Sequence, residues 1–199
     1  MATRKSWLQR SRRTGITLIE SLVSVTITAI AGTALFSAIG ASLGASYSTL
    51  NKTIGTGLAE QMLDELAAVR FPTASDTRPA YNSTREYYDD LDDYKNWSAS
   101  PPVNKNGVAL GKETVTVLGY YPISRPSLIV PDTEFLNRLT REVTVERITP
   151  NNSAGWIVTT DNTDYRRVTV KIKLAMNSDS PSHEITEATR IFSYVPLSH

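Results

Sequence analysis

An acid opens an otherwise uncharged run: Glu20 stands directly before Ser21 to Asn51, 31 residues without a formal charge. An ionised group at the middle of a membrane helix costs about 2.5–3.5 kcal/mol, and less near an interface, so this carboxylate needs a partner. No basic side chain shares its helical face. A cut just before Ile16 would create an α-ammonium four residues from Glu20, or within reach of the Glu20 of a neighbouring copy. The simpler explanation is an acid at a helix start, satisfied by water or by the positive helix end.

The densest polar constellation is Asp89, Asp90, Asp92 and Asp93, with Glu86, Tyr87, Tyr88, Tyr94 and Trp97 around it. Hard oxygen ligands at this density could take calcium, although the alternating Asp spacing of a dedicated calcium loop is missing. The plainer expectation is that the carboxylates cap a short turn and the aromatics pack it onto a sheet. No other cofactor is expected.

Other catalytic constellations are absent from the sequence. Two histidines, His183 and His199, are too few for a His-based metal cluster, and His183 is expected in a turn after Pro181. The run Gly107 to Glu113 resembles a phosphate loop but is one residue short between glycines. It also has Glu where Ser or Thr should meet magnesium, so it is expected to be a turn before a strand. With no cysteine, disulfides, thiolate catalysis and Cys-based zinc sites are excluded. Asn51, Asn82, Asn96 and Asn151 fit the Asn-x-Ser/Thr pattern, which short sequences meet by chance. These absences argue against an enzyme.

The elements that position these residues begin with a charge asymmetry. Residues 1–15 hold Arg4, Lys5, Arg10, Arg12 and Arg13, five of the 21 basic residues, and no acid. The remainder has 16 basic against 20 acidic residues, so a nucleic-acid-binding surface is not expected. A bilayer core needs roughly 20 helical residues, and the uncharged run exceeds that. Its serines, threonines and glycines dilute Leu, Ile and Val, and Gly40 and Gly44 share one helical face, which favours close helix–helix packing. Basic residues before the span place the N-terminus inside and the chain beyond about Lys52 outside.

Helical spacing then continues through Ile54, Leu58, Met62, Leu66 and Val69, with Glu60, Asp64 and Glu65 on other faces. Pro72 stops it, so a helix ending near Phe71 is expected. Residues 72–112 show no sustained period and read as a long irregular connection outside the core. Alternation returns around Val115 and Val117, Val143 and Val145, Val168 to Leu174, and Thr189 to Phe192: four antiparallel strands, with Trp156 to Val158 as a short fifth. The fold class is α+β, with a long N-terminal helix packed by its amphipathic second half on an antiparallel sheet. The domains are 1–15, a basic leader; 16–71, the helix with its membrane-spanning first half; and 72–199, a globular head.

Gly15-Ile16-Thr17-Leu18-Ile19-Glu20, behind a short basic leader and ahead of an apolar run, resembles the prepilin signal of type IV pilins and type II secretion pseudopilins. The resemblance covers Arg12 to Ala45. It implies that prepilin peptidase cleaves after Gly15 and N-methylates Ile16, and that Glu20 pairs with a subunit's N-terminal amine during assembly. Ile16 departs from the commoner phenylalanine, and no proline interrupts the helix before Pro72. The implied partners are prepilin peptidase, other pilins or pseudopilins, the inner-membrane assembly platform and, before assembly, lipid. The implied location is the bacterial inner membrane, then a periplasmic or extracellular filament. The large head and the missing cysteine-closed loop favour a minor subunit. One alternative is an anchored or exported binding protein outside any filament. Another is a twin-arginine signal at Ser11-Arg12-Arg13 with cleavage near Ala45, which Glu20 argues against.

Overall fold

The computed structural model describes residues 17–72, 85–111, 115–117, 121–123, 133–153, 155–177 and 180–195. The chain divides into two compact units, with the boundary after Ser48. One helix, α1 (Leu18–Ala67, 50 residues), contributes to both.

In the first unit the apolar side chains of α1 lie exposed, among them Leu22, Val25, Ile30, Phe36, Ile39 and Leu43. The helix is long and apolar enough to cross a membrane. Six of its hydroxyls turn inward onto its own backbone. Ser21 donates to the Leu18 carbonyl, Ser24 to Glu20, Thr26 to Leu22, Thr28 to Ser24, Thr33 to Ile30 and Ser46 to Ser42, all at 2.8–2.9 Å.

In the second unit α1 buries Gly55, Ala59, Met62, Leu63 and Leu66, a stripe at helical spacing. The stripe meets an antiparallel sheet ordered β1-β4-β6-β7, with β5 also paired to β4. The strands are β1 (Trp97–Ala99), β4 (Leu139–Asn151), β5 (Gly155–Val158), β6 (Tyr165–Leu174) and β7 (His183–Ser193). Period-two alternation sends Val143 and Val145 of β4, and Val168, Val170, Ile172 and Leu174 of β6, into the core. The opposite face is polar and laced by ion pairs: Arg167 with Glu146 at 2.7 Å, Lys173 with Glu142 at 2.7 Å, and Lys171 with Glu184 and Glu187 at 2.9 and 3.1 Å. The two acids raise the Lys171 pKa above its usual value.

Helix and β7 approach closely at Gly55, where a Cβ would lie 3.0 Å from Ile185 Cδ1 and from Thr186 Cγ2. Arg190 of β7 reaches back to Glu60 and Asp64 at 3.1 and 3.0 Å.

The α+β class holds, and several details differ from expectation. α1 ends at Ala67 and not near Phe71, because Arg70 leaves the helix for a parallel bridge with Asp90 and its carbonyl accepts the Leu91 N–H at 3.2 Å. The segment expected to lie outside the core enters it: Leu91 and Tyr94 are fully buried and β1 extends the sheet. β2 (Val115–Val117) pairs with β3 (Tyr121–Ile123) in a separate two-stranded sheet, so it is not a member of the main one. The short helix α2 (Thr133–Asn137) has no periodic signal to announce it.

Candidate functional site: the helix start and the aspartate-rich arm

Thr17 and Glu20 close the N-terminus of α1 on each other. The Thr17 N–H donates to Glu20 Oε2 and the Glu20 N–H donates to Thr17 Oγ1, each at 3.4 Å. The Glu20 and Ser21 N–H groups also reach the Thr17 carbonyl, both at 3.1 Å. This is a capping box, the Thr-x-x-Glu pattern by which a helix satisfies donors that have no intrahelical partner. The pattern is legible in Thr17-Leu18-Ile19-Glu20, and it gives the Glu20 carboxylate a partner that a search for basic side chains alone does not find. Gly15 and Ile16 lie outside the described residues. Among the described residues nothing lies within 4 Å of a would-be Cβ at Gly40 or Gly44, so packing against those residues does not require glycine at either position.

The four aspartates separate into two groups. Asp92 points to the sheet, where Arg166 grips it with Nε to Oδ1 at 2.8 Å and Nη2 to Oδ2 at 3.3 Å. Arg147 adds a bond to Oδ2 at 3.1 Å. Burial opposes ionisation of Asp92, but the hydrogen bonds and charges of Arg166 and Arg147 prevail and hold its carboxyl below the usual range. Arg166 is fully buried and fills its remaining directions with the Thr163 and Tyr165 carbonyls, Asn162 and the face of Phe71.

Asp89, Asp90 and Asp93 bring one carboxylate oxygen each within 4.8 Å of the others. Asp93 accepts the N–H groups of Asp89 and Asp90 at 3.0 and 3.3 Å, Asp90 accepts the Asp93 N–H at 3.1 Å, and Asp89 bonds Arg70 at 3.1 Å. Burial, then the nearby Asp93 charge, pushes the Asp90 carboxyl up. A calcium ion here would meet three of the four aspartates, fewer than its usual six to eight oxygens. The aromatics pack as a set, with Tyr94 edge-on to Tyr88 at 4.9 Å and to Trp97 at 6.4 Å.

His183 opens β7, exposed and paired in register with Leu174, and not in the expected turn. The Gly107 segment is a turn: the Asn104 side chain accepts the N–H groups of Asn106 and Val108 at 3.0 and 2.9 Å, and Gly107 takes a φ of +78°.

No curated protein and no solved structure matches the chain. Residues 10–36 match the family model of the prokaryotic N-terminal methylation motif. That interval contains Gly15, Ile16, the Thr17–Glu20 cap and the first turns of the apolar helix. The motif is the signature of type IV pilins and pseudopilins, and with the long apolar helix behind it supports a pilin-like structural subunit of the kind that prepilin peptidase processes and that assembles with other pilins.

Proposed function

We propose that the chain is a minor pilin or pseudopilin of a type IV pilus or type II secretion system. It is cut after Gly15, methylated at Ile16 and assembled through α1. It first spans the inner membrane with its head outside, held by lipid, and is then drawn into a filament by the assembly platform. The head acts by packing and presentation, without a resident cofactor. The observation that carries this reading is the methylation motif at residues 10–36 running into a helix whose apolar face is exposed. Apolar side chains at that density need lipid or other helices to cover them.

Mass spectrometry of the mature N-terminus tests the processing step: a methylated Ile16 is expected, and an N-terminus at Met1 or near Ala45 overturns it. Gly15→Arg should abolish cleavage. The capping box gives Glu20 a second reading, as a helix-start acid with no role in assembly. Glu20→Gln separates the two, because glutamine still caps a helix but offers no charge to an amine. Normal cleavage with filament incorporation reduced at least tenfold supports charge pairing, whereas undiminished incorporation assigns Glu20 to the cap alone.

A further inference from the structure

The head encloses two arginines around one carboxylate. Arg85 is 3% exposed and Arg141 is 1% exposed. Arg85 donates to Glu65 Oε2 at 2.5 Å, to Met62 Sδ at 3.2 Å and to the Val103 carbonyl at 2.5 Å. Arg141 donates to that same Val103 carbonyl, and to the Leu58 carbonyl at 3.5 Å. Both guanidinium groups stand near the Trp97 ring, 4.6 and 5.7 Å from its centroid. Two cations that share one carbonyl oxygen are no further apart than two hydrogen bonds laid end to end.

Like charges enclosed this closely repel, and burial removes the water that would screen them. Among the described residues Glu65 is the one carboxylate bonded to either, so the cluster keeps an excess of one positive charge. Its electrostatics agree: burial first, then the Arg85 charge, brings the Arg141 pKa down to about 10, against the opposite pull of Glu65 and Tyr94. The ring of Trp97 attracts the faces of the cations but offers no acceptor to their N–H edges.

Among the described residues, four enclosed polar atoms in the cluster make no well-formed hydrogen bond: Arg85 Nε, Arg141 Nε, the Tyr94 hydroxyl, whose oxygen also lies close to the Arg85 guanidinium, and Glu65 Oε1. Three of them are donors. Folded proteins rarely leave buried donors unmet, and a bound ion or water is the usual resolution. An excess charge of +1, three unmet donors and full enclosure define what fits: something small, singly negative and hydrogen-bond accepting.

We propose that Arg85, Arg141 and Tyr94 form a buried binding site for one small monovalent anion, which fastens the arm of residues 85–103 to α1 and β4. Chloride would offer these donors an acceptor of the charge the cluster lacks. Bicarbonate would do the same, and its own O–H is of the kind Glu65 Oε1 accepts.

The test uses the full-length chain in an uncharged detergent, unfolded by heat at constant ionic strength while gluconate, too bulky to enter, is replaced by chloride or by bicarbonate. A ligand that binds the folded head alone raises the midpoint with the logarithm of its concentration. That rise is expected for at least one of the two anions, and the steeper response identifies which. Tyr94→Phe keeps the ring packing and removes one donor, so it should shift the anion dependence to several-fold higher concentration, and Arg141→Met should abolish it. A wild-type midpoint that is indifferent to both anions overturns the proposal. So does a Tyr94→Phe protein that is more stable at every concentration with an unaltered anion response, since that result would mean only the relief of an unmet hydroxyl. Should Arg141→Met fail to fold, chloride-35 line broadening by the wild type, diminished in Tyr94→Phe, supports the site in its place, and absence of that broadening together with a flat bicarbonate response refutes it.

Discussion

Asp92→Asn replaces an oxygen by an amide of nearly the same shape and takes away the carboxylate that Arg166 grips from within the head. Arg166 is fully buried, while the Asp92 side chain is 27% exposed. Breaking a buried ion pair by removing one partner costs about 3–5 kcal/mol, because the remaining charge stays enclosed without compensation. The partial exposure of Asp92, and the one carbonyl oxygen that asparagine retains, place the expectation near the lower end, at about 3 kcal/mol. Arg147 is 42% exposed and can turn to water, so its lost bond adds less than about 1 kcal/mol. For a chain of this size about 3 kcal/mol lowers the unfolding midpoint by roughly 6–12 °C. Near-ultraviolet circular dichroism of the full chain in detergent reads that shift. Glu60→Gln, at the exposed pair with Arg190, is the control and should cost no more than about 1 kcal/mol.

The same pair gives a pH signature. The Asp92 carboxyl ionises below its usual value in the folded state, so the stability it supplies is present above the unfolded pKa of about 3.9. That stability is lost as pH falls through the lower folded value. The gap between wild type and Asp92→Asn should therefore be constant near neutrality and close only in acid. A loss no greater than that of Glu60→Gln, or a gap that persists unchanged in acid, would refute the reasoning.

Asp90 should behave in the opposite sense: burial raises its pKa, so folding disfavours the charged form and stability falls as pH rises through the raised value. Asp90→Asn still accepts the Asp93 N–H and should unfold at the same temperature as wild type or higher at neutral pH, a drop of several degrees being the contrary result. Gly55→Val should cost about 1–3 kcal/mol through contact with Ile185 and Thr186, while Gly57→Ala, which meets nothing within 4 Å, should gain up to about 1 kcal/mol in thermal unfolding. Gly44→Leu should leave cleavage and head stability unchanged but lower filament incorporation, measured in sheared filaments; wild-type incorporation would show that no helix packs against Gly44. Calcium should not move the unfolding midpoint, because Asp93 is engaged by two backbone donors and Asp89 by Arg70. A calcium-dependent rise lost in Asp93→Asn would instead assign Asp89, Asp90 and Asp93 as its ligands.

What can be read from the sequence follows from how local each signal is. The core strands announce themselves because Val168, Val170, Ile172 and Leu174 alternate strictly with Thr169, Lys171 and Lys173, and one face of that pattern must be buried. The second half of α1 is equally plain in Leu58, Met62 and Leu66. The arm escapes such a reading because it enters the core through single anchors. Leu91, Tyr94 and Trp97 recur every third residue, but over too short and too acidic a run to announce an element, and their placement depends on Arg85, Arg141 and Arg166, two of which are remote in sequence. Buried arginines are invisible to hydropathy, so the three cations that organise this side of the head look like surface residues in the sequence. Among the site residues, Glu20 stands out by its charge, whereas its pairing with Thr17 depends on a spacing of three that is easily overlooked.

The hydroxyls that turn back onto the carbonyls of α1 have a consequence for the life of the segment. Ser24, Thr26, Thr28 and Ser46 shorten the side chains along the rod without adding an outward demand for hydrogen bonds, since each of these O–H groups already has its acceptor one turn earlier. A leucine-rich rod would hold fast to lipid, and one with outward hydroxyls would need new acceptors wherever it went. At these four positions the rod needs no new polar contact, whether acyl chains or the side chains of other helices lie against it.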